Sequence, residues 1–246
     1  MYKERIETYL KNNGFGAFDP KAVLFDMDGV LYDSMPNHAR SWHLSMETFG
    51  LKMSEKEAYK YEGMRGVETI RLIAKEQWGR DLSEEECVRM YAEKSRLFAE
   101  QPEAGIMNGV RTVLEMVHRS GRKIVVVTGS GQHSLLDKLV SDFDGLISHD
   151  MIVSSFDVKR GKPNPEPYLK GLEKAGVNAW EAIVVENAPL GVRAAVAARI
   201  FTIAVNTGPL DNELLTAEGA DIVLGSMGEF NGDVYSELLA TRLAVS

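Results

Sequence analysis

Short apolar runs alternate with helical segments along most of the chain, and this alternation is the feature that most limits its fold. The runs are typical of buried strands, whereas the segments between them carry apolar residues at helical spacing. Strands that are regularly separated by helices favour a parallel sheet covered on both faces, so we expect an α/β doubly wound core. The predicted strands are 23–25, 123–128, 146–153, 182–186, 201–205 and 221–224. The predicted helices between them are 109–120, 132–140, 165–175 and 191–198.

One long stretch interrupts the alternation with a wholly helical pattern. Two capping-box signals, one from Ser54 to Glu57 and one from Ser83 to Glu86, predict helix starts within it. We therefore expect an inserted all-α module at residues 35–103, with predicted helices at 36–49 and 67–78. The α/β core would comprise residues 1–34 and 104–246, with a short extra helix at 2–13.

Composition and charge exclude several classes of protein. The formal net charge of −8, without a basic stripe interleaved with aromatic residues, disfavours nucleic acid as a partner. No uninterrupted apolar run approaches the length that spans a membrane. The single cysteine, Cys87, fits a reducing compartment, and the first seven residues lack the layout of a secretory signal. We expect a cytoplasmic monomer or weak dimer that binds neither nucleic acid nor membrane.

Two aspartates directly follow the first predicted strand. Asp26 and Asp28 are separated by one residue, so an extended chain would direct both toward one pocket. Gly29 then lets the backbone turn away. A carboxylate at the end of a buried strand is costly unless a cation or another partner compensates it. The pair could supply a nucleophile and a proton carrier that share a divalent cation, or it could be two solvated acids before a turn.

Polar residues also follow three other predicted strands. Thr128 begins a Thr-Gly-Ser-Gly segment before a helix, a pattern that can bind an anion. Lys162 lies in a proline-rich segment, and Glu186 and Asn187 offer oxygen ligands that Mg²⁺ favours. Each feature also has a purely structural interpretation: Thr128 as a helix cap, Lys162 as an exposed loop lysine, and Glu186-Asn187 as a polar loop. Ligands of parallel sheets bind beyond the carboxyl ends of the strands, which favours a shared site.

These residues resemble the four motifs of the haloacid dehalogenase-like superfamily, and specifically its β-phosphoglucomutase-like subgroup. The first motif is Asp26-Met-Asp28-Gly-Val-Leu, the second Thr128, the third Lys162 before proline, and the fourth Glu186-Asn187. The match runs from about Lys21 to the last predicted strand. The resemblance implies a Rossmann-like core in which the helical module is the cap. Intact motifs weigh against a catalytically silent binding module on the same fold.

The resemblance also implies a role for each of these positions. Asp26 would attack phosphorus and become an aspartyl phosphate, and Asp28 would act as general acid and then base. Thr128 and Lys162 would hold the phosphoryl oxygens, with Gly129 and Ser130 also contacting the substrate.

The implied cofactor is Mg²⁺. Its ligands would be the Asp26 carboxylate, the Asp28 backbone oxygen and the fourth-motif side chain. The family commonly has an acid where this chain has Asn187, so the amide removes one negative charge. We expect Asn187 to be the direct ligand and Glu186 to be second. The second aspartate favours phosphate chemistry over carbon–halogen cleavage, because a leaving halide needs no proton.

Three residues of the implied cap are candidate substrate contacts. His38 stands where the mutases carry a hinge histidine, although packing is an equal alternative. Glu62, before Gly63, stands where sugar-phosphate mutases typically carry a basic residue. Its carboxylate could touch a metal-bound water, hydrogen-bond a sugar hydroxyl or remain solvated. Arg65 could bind a distal phosphate, or pair with Glu62 or Glu68.

The pattern around Glu62, at residues 126–131 and at residues 186–191 resembles pyrophosphatase members of the subgroup. We therefore expect a Mg²⁺-dependent phosphohydrolase acting on a small phosphorylated molecule, with inorganic pyrophosphate as the leading substrate. The alternatives are a β-phosphoglucomutase and then a phosphoglycolate-type phosphatase.

Overall fold

The structure, a computed structural model, describes residues 2–240 and 243–244. Its centre is a six-stranded parallel sheet in the order β4-β3-β2-β5-β6-β7. Those strands are β2 (Ala22–Phe25), β3 (Lys123–Val127), β4 (Ile152–Val153), β5 (Ala182–Glu186), β6 (Phe201–Val205) and β7 (Ile222–Leu224). The predicted α/β class is confirmed.

Helices cover both faces of this sheet, because side chains on its central strands alternate between two apolar layers. On β2, Val23 and Phe25 pack into one layer and Leu24 into the other. The first layer is completed by α1 (Lys3–Asn13), α6 (Val110–Arg119), α7 (His133–Asp142) and α11 (Gly232–Ala240). The second is completed by α8 (Glu166–Ala175) and α9 (Pro189–Ala197).

The strand register brings the carboxyl ends of the central strands together. Phe25 of β2 aligns with Val126 of β3 on one side and with Val185 of β5 on the other. The residues that follow these positions therefore emerge side by side at one edge of the sheet. This edge is where the predicted site residues meet.

Four helices between β2 and β3 form the helical insert, which has its own apolar core around Trp42, Met46, Ile70 and Met90. They are α2 (Met35–Thr48), α3 (Glu55–Ala58), α4 (Gly66–Trp78) and α5 (Glu84–Ala99). Both predicted capping boxes form, at α3 and at α5, and each satisfies backbone N–H groups at a helix start.

The structure differs from the sequence prediction at several short elements. The predicted strand at 146–153 was too long, since only Ile152–Val153 pairs with β3 and a single turn of 3₁₀ helix, His149–Met151, precedes it. Helix α10 (Asn212–Ala217) and α11 were not predicted. Neither was the antiparallel pair of β1 (Ala17–Phe18) with β8 (Leu243–Ala244), because two-residue strands carry no readable periodicity.

The predicted N-terminal helix is α1, and it is fastened to the core beside β6. Its Tyr9 hydroxyl donates to the carbonyl of Arg199 at 2.9 Å, and the Tyr9 ring packs edge-on against Phe201. Among the described residues, no helix combines the length and the apolar character needed to cross a membrane.

A half-buried acid at the start of β7 makes stability depend on pH. Burial raises the pKa of Asp221 to about 7, although its carboxylate accepts a hydrogen bond from the Thr202 N–H at 2.8 Å. Because the Asp221 carboxyl group binds its proton more tightly in the folded state, it contributes folding stability that is complete at acid pH and is lost as pH rises through about 7.

We expect Asp221→Asn to be more stable than the parent at pH 8, by roughly 1–3 kcal/mol, and to lose this advantage at pH 4. Urea unfolding at pH 4 and pH 8 gives the free energy of unfolding of each protein, and the control is Asp144→Asn at an exposed position. An equal effect of Asp221→Asn at the two pH values would contradict the prediction.

Candidate active site

A buried lysine holds two carboxylates together at the carboxyl edge of the sheet. Lys162 Nζ donates to Asp26 Oδ1, to Glu186 Oε1 at 2.6 Å and to the Val127 carbonyl at 3.2 Å. Asp26, Lys162 and Glu186 are each at most 5% exposed. Burial disfavours the ammonium, but the two carboxylates outweigh it and hold the pKa of Lys162 above its usual range. The ends of β2 and β5 and the loop before α8 therefore form one charged cluster.

Glu186 is fully engaged by protein groups. Its Oε1 accepts hydrogen bonds from Lys162 and from the Tyr168 hydroxyl at 2.6 Å. Its Oε2 accepts the backbone N–H groups of Asn187 at 3.0 Å and Ala188 at 3.3 Å. This carboxylate thus anchors Lys162 and the loop after β5.

Asn187 meets a side chain from the helical insert. Its Nδ2 donates to Glu62 Oε2 at 3.2 Å. Within the described residues, Asn187 Oδ1 and Glu62 Oε1 are the buried side-chain atoms without a hydrogen-bond partner. Gly29, at φ +81°, allows this approach, because a Cβ there would lie 2.0 Å from Asn187 Nδ2. Two neighbouring side chains therefore each keep a buried oxygen that could accept a hydrogen bond or bind a cation.

Asp28 is held by a chain of polar groups that crosses to the helical insert. The Ser34 hydroxyl donates to Asp28 Oδ1 at 2.6 Å, and His38 Nε2 lies 3.4 Å from the same atom. On the other side of the ring, Lys94 Nζ lies 2.8 Å from His38 Nδ1. A lysine donating to Nδ1 leaves the imidazole hydrogen on Nε2, facing Asp28.

The pKa values of these groups follow from the same contacts. Burial alone would raise the pKa of Asp28, but His38 and the Ser34 hydroxyl outweigh it and lower that pKa to about 2. Burial, with the Lys94 ammonium, lowers the pKa of His38. Burial also lowers the pKa of Lys94 to about 8.

The loop after β3 contains the Thr-Gly-Ser-Gly segment that the sequence identified as a possible anion-binding pattern. Thr128 is buried at the strand end, and its Oγ1 accepts the Ser130 N–H at 3.0 Å. Gly129 and Ser130 line a cavity of about 570 Å³ between the core and the helical insert. We call it the active-site cavity, since Asp26, Asp28, His38 and Glu62 line it too.

Arg65 lines the mouth of this cavity and also fastens the helical insert to the core. Its guanidinium donates to the Lys159 carbonyl at 3.3 Å and lies 4.0 Å from Glu68. Two glycines allow the helical insert and the core to approach each other closely at this contact. A Cβ on Gly161 would lie 2.9 Å from Arg65 Cγ, and one on Gly63 2.8 Å from Lys162 Cδ.

The acids of the site carry more negative charge than its protein partners offset. Burial raises the pKa of Asp26 to about 7, with Glu186 and Asp28 adding to a rise that Lys162 opposes. Burial, with Asp26 and Asp28, holds the pKa of Glu62 well above its usual range. In the part of the chain that the structure describes, no three His, Cys, Asp or Glu side chains form a ready metal cage. The ligands expected from the sequence, the Asp26 carboxylate, the Asp28 backbone oxygen and the Asn187 amide oxygen, stay a prediction, and the unpaired Glu62 Oε1 is a further candidate.

Sequence reasoning missed two buried residues of the site, Lys94 and Tyr168. Each had a signal in helical spacing. Lys94 continues the buried positions Cys87 and Met90 of α5, so a lysine occupies a core position of an amphipathic helix. Tyr168 lies on the buried face of α8, and its hydroxyl donates a hydrogen bond to Glu186.

A third glycine, Gly208 of the core, also lies in close contact with the helical insert. A Cβ on Gly208 would lie 2.8 Å from Tyr59 of the helical insert. We expect Gly208→Ala to weaken docking by about 1–3 kcal/mol, because the ring must move aside. Faster amide hydrogen exchange at residues 59–66 would report this. The control is Gly16→Ala, where nothing lies within 4 Å of the added atom. Unchanged exchange in Gly208→Ala would show that the contact does not hold the insert.

Comparison with known proteins agrees with this site. Hexitol phosphatase A of Escherichia coli (strain K12) is 31% identical over 222 residues, covering 87% of this chain and 97% of the relative. A candidate pyrophosphatase, PpaX of Caldanaerobacter subterraneus subsp. tengcongensis, is 28% identical over 207 residues, covering 84% of this chain and 90% of the relative. The solved structure of a candidate β-phosphoglucomutase from Bacteroides vulgatus is 49% identical, with a TM-score of 0.93 and 98% of each chain covered.

The family model described as haloacid dehalogenase-like hydrolase matches residues 23–205. That range begins at β2 and ends with β6, so it contains all four motifs. The resemblance predicted from the motifs is confirmed, including the likeness to β-phosphoglucomutases. The chain belongs to the haloacid dehalogenase-like hydrolase family and is an enzyme of that family.

Proposed function

We propose that this enzyme is a magnesium-dependent phosphohydrolase that works through an aspartyl phosphate, with inorganic pyrophosphate as its leading substrate. The observation that carries the proposal is the hydrogen bond between Glu62 and Asn187, each of which keeps a buried oxygen that no group of the described chain satisfies.

These oxygens fit a hard cation. Magnesium binds carboxylate and carbonyl-type oxygens, and Asp26, Glu62 and Asn187 supply both kinds. Glu186 is disfavoured as a direct ligand, because both of its oxygens already accept hydrogen bonds. A bound Mg²⁺ would supply positive charge for the phosphoryl oxygens. It would also favour the charged forms of Asp26 and Glu62, whose pKa values are otherwise raised.

In this proposal Asp26 is the nucleophile. Lys162 fixes Asp26 Oδ1, which leaves the second carboxylate oxygen to attack phosphorus. The loop with Thr128, Gly129 and Ser130 would bind the transferred phosphoryl group beside the Lys162 ammonium. Positioning and electrostatic stabilisation carry most of the catalysis of phosphoryl transfer, and this cluster supplies both.

Asp28 would carry protons in both halves of the reaction. It would protonate the leaving group, and the resulting carboxylate would accept a proton from the attacking water. The hydrogen bond from Ser34 and the nearby His38 stabilise that carboxylate. His38 links Asp28 to the helical insert, so we assign the insert the role of a cap whose docking completes the acid–base group.

Glu62 favours a small and highly charged substrate. A carboxylate in this loop repels a bare distal phosphate, but it attracts a phosphate that arrives with a cation. Pyrophosphate binds cations strongly, and Lys94, buried in the same cavity, offers a positive charge for its leaving phosphate. The similarity to the PpaX protein supports this choice.

A sugar phosphate is the second candidate, as a substrate of either a mutase or a phosphatase. The active-site cavity of about 570 Å³ has room for a hexose phosphate, and Trp42 and Tyr91 line it. In this reading Glu62 Oε1 accepts a sugar hydroxyl. The candidate β-phosphoglucomutase and hexitol phosphatase A support this alternative.

A substrate panel separates these functions. With Mg²⁺ present, we expect kcat/KM for pyrophosphate to exceed that for β-glucose 1-phosphate, a hexitol phosphate and phosphoglycolate by at least about tenfold. Phosphate release measures hydrolysis, and glucose 6-phosphate formation measures mutase activity. Asp26→Asn is the control and should lose turnover by at least about 10³-fold, because the nucleophile is gone. Isomerisation of glucose 1-phosphate faster than phosphate release from pyrophosphate would favour the mutase.

Replacement of Glu62 tests its role in substrate choice. We expect Glu62→Ala to lower kcat/KM for pyrophosphate by about 10–100-fold and to raise the Mg²⁺ concentration needed for half-maximal rate. Sugar phosphates should change by less than about threefold, because the cation-linked contact serves the charged substrate. Glu68→Ala, at a partly exposed acid in the first turn of α4, six residues further along the chain, is the matched control. Equal losses for every substrate would argue against a selective role.

A further inference from the structure

One aromatic side chain of the helical insert stays uncovered in the active-site cavity. Tyr91 of α5 lines this cavity and is 37% exposed. Among the large apolar side chains that are exposed in the described part of the chain, it is the one that belongs to the cavity lining. A substrate that covers this ring gains free energy from the burial of apolar surface. Pyrophosphate has no carbon atoms, so the ring offers it no such gain.

A glycine at the start of α4 leaves room for this ring. A Cβ on Gly66 would lie 2.0 Å from Tyr91 Cε2 and 2.2 Å from Tyr91 Cδ2. Gly66 is not one of the residues with a positive φ, so its backbone conformation is open to other residues. Glycine is also a poor helix former. The contact with Tyr91 is therefore what the structure shows to require glycine at this position.

Trp42 of α2 is a second neighbour of the Tyr91 ring. The two ring centroids lie 6.2 Å apart, at an interplanar angle of 39°. Trp42 is buried and lines the same cavity. Contacts with α2 and with the start of α4 limit the positions that the Tyr91 ring can adopt. The insert thus presents a fixed aromatic surface to whatever occupies the cavity.

This aromatic surface lies along the helix from the acid–base group. Tyr91, Lys94 and Phe98 of α5 all line the active-site cavity. The Phe98 ring packs against His38, with centroids 4.2 Å apart, and His38 Nε2 lies 3.4 Å from Asp28 Oδ1. At a rise of about 1.5 Å per residue, Tyr91 lies about 10 Å along the helix axis from Phe98. An alcohol that takes its proton from Asp28 can therefore extend along α5 toward Tyr91.

Building on the phosphoryl chemistry of the proposed function, we propose that Tyr91 is a specificity-determining residue. It gives the enzyme a second activity, the hydrolysis of phosphate monoesters whose alcohol contains a six-membered ring. The apolar face of that ring would lie against the ring of Tyr91.

The ester reaction uses the same groups as pyrophosphate hydrolysis. The bond from phosphorus to the ester oxygen breaks as a bond to an Asp26 oxygen forms, and Asp28 gives its proton to the departing alcohol. A water oxygen then bonds to phosphorus, and the electron pair of the broken bond returns to Asp26. The proton of the water passes to Asp28, and inorganic phosphate leaves.

The experiment compares substrates that contain a ring with substrates that do not. Phenyl phosphate and β-glucose 1-phosphate contain a six-membered ring, whereas phosphoglycolate and pyrophosphate contain none. Turnover with Mg²⁺ is measured as released phosphate plus any glucose 6-phosphate. Tyr91→Ala removes the aromatic ring, Tyr91→Phe keeps it, and Gly66→Ala adds a Cβ that must displace it. Gly16→Ala, with nothing within 4 Å of the added atom, is the control.

We expect Tyr91→Ala to lower the ratio of kcat/KM for the ring esters to kcat/KM for pyrophosphate by about tenfold or more. The ratio for phosphoglycolate should change by less than about threefold, because this ester has no ring to bind. Gly66→Ala should lower the ring-ester ratio by about threefold or more, and adding it to Tyr91→Ala should cause no further loss. Tyr91→Phe and Gly16→Ala should keep the ratio within about twofold.

An unchanged ratio in Tyr91→Ala, or an equal loss for all four substrates, would overturn the role of Tyr91. If Tyr91→Ala does not fold, the ratio in Gly66→Ala decides. A selective loss of ring esters in an enzyme that prefers sugar phosphates to pyrophosphate would support the role of Tyr91 and refute the leading substrate. Turnover that survives Asp26→Asn would instead refute the proposed chemistry, and the ester reaction with it.

Discussion

The site depends on the burial of one lysine between two carboxylates. Lys162, Asp26 and Glu186 come from three separate parts of the chain, and each would be costly to bury alone. Together they leave one net negative charge in a region that excludes water. Burial, together with the neighbouring carboxylates, raises the pKa of Asp26, and the same negative charge would attract a cation. Tyr168 and the backbone after β5 complete the cluster by fixing Glu186.

The helical insert adds to this charge instead of reducing it. Docking brings Glu62 to Asn187, which places a third acid near Asp26. Burial and the neighbouring acids hold the pKa of Glu62 well above its usual range, so a cation or a proton would favour the docked arrangement. The same docking brings His38 to Asp28 with Lys94 behind it. The insert therefore adds one acid beside Asn187 and one imidazole that stabilises the charged form of Asp28.

Sequence patterns predicted the parts of this structure that repeat or that end a strand. The parallel sheet followed from alternation, and Asp26, Lys162 and Glu186 were found because each lies at or beyond a strand end. Their mutual contacts could not be predicted, because Lys162 lies 136 residues from Asp26 in the chain. The division of work between Glu186 and Asn187 also needed coordinates, since only hydrogen-bond partners reveal which oxygen stays unpaired. Lys94 was missed because nothing in the sequence marks a single lysine of α5 as buried apart from its spacing from Cys87 and Met90.

The pairing of β1 with β8 has a practical consequence for handling the protein. Ala17 lies opposite Ala244, and β1 leads into β2 at the amino edge of the sheet, away from the substrate. This two-stranded pair therefore lies on the side of the core opposite the carboxyl edge of the sheet. A fluorophore or a surface tether attached beside residue 244 would leave the cavity mouth unobstructed, so immobilised molecules could be watched during turnover.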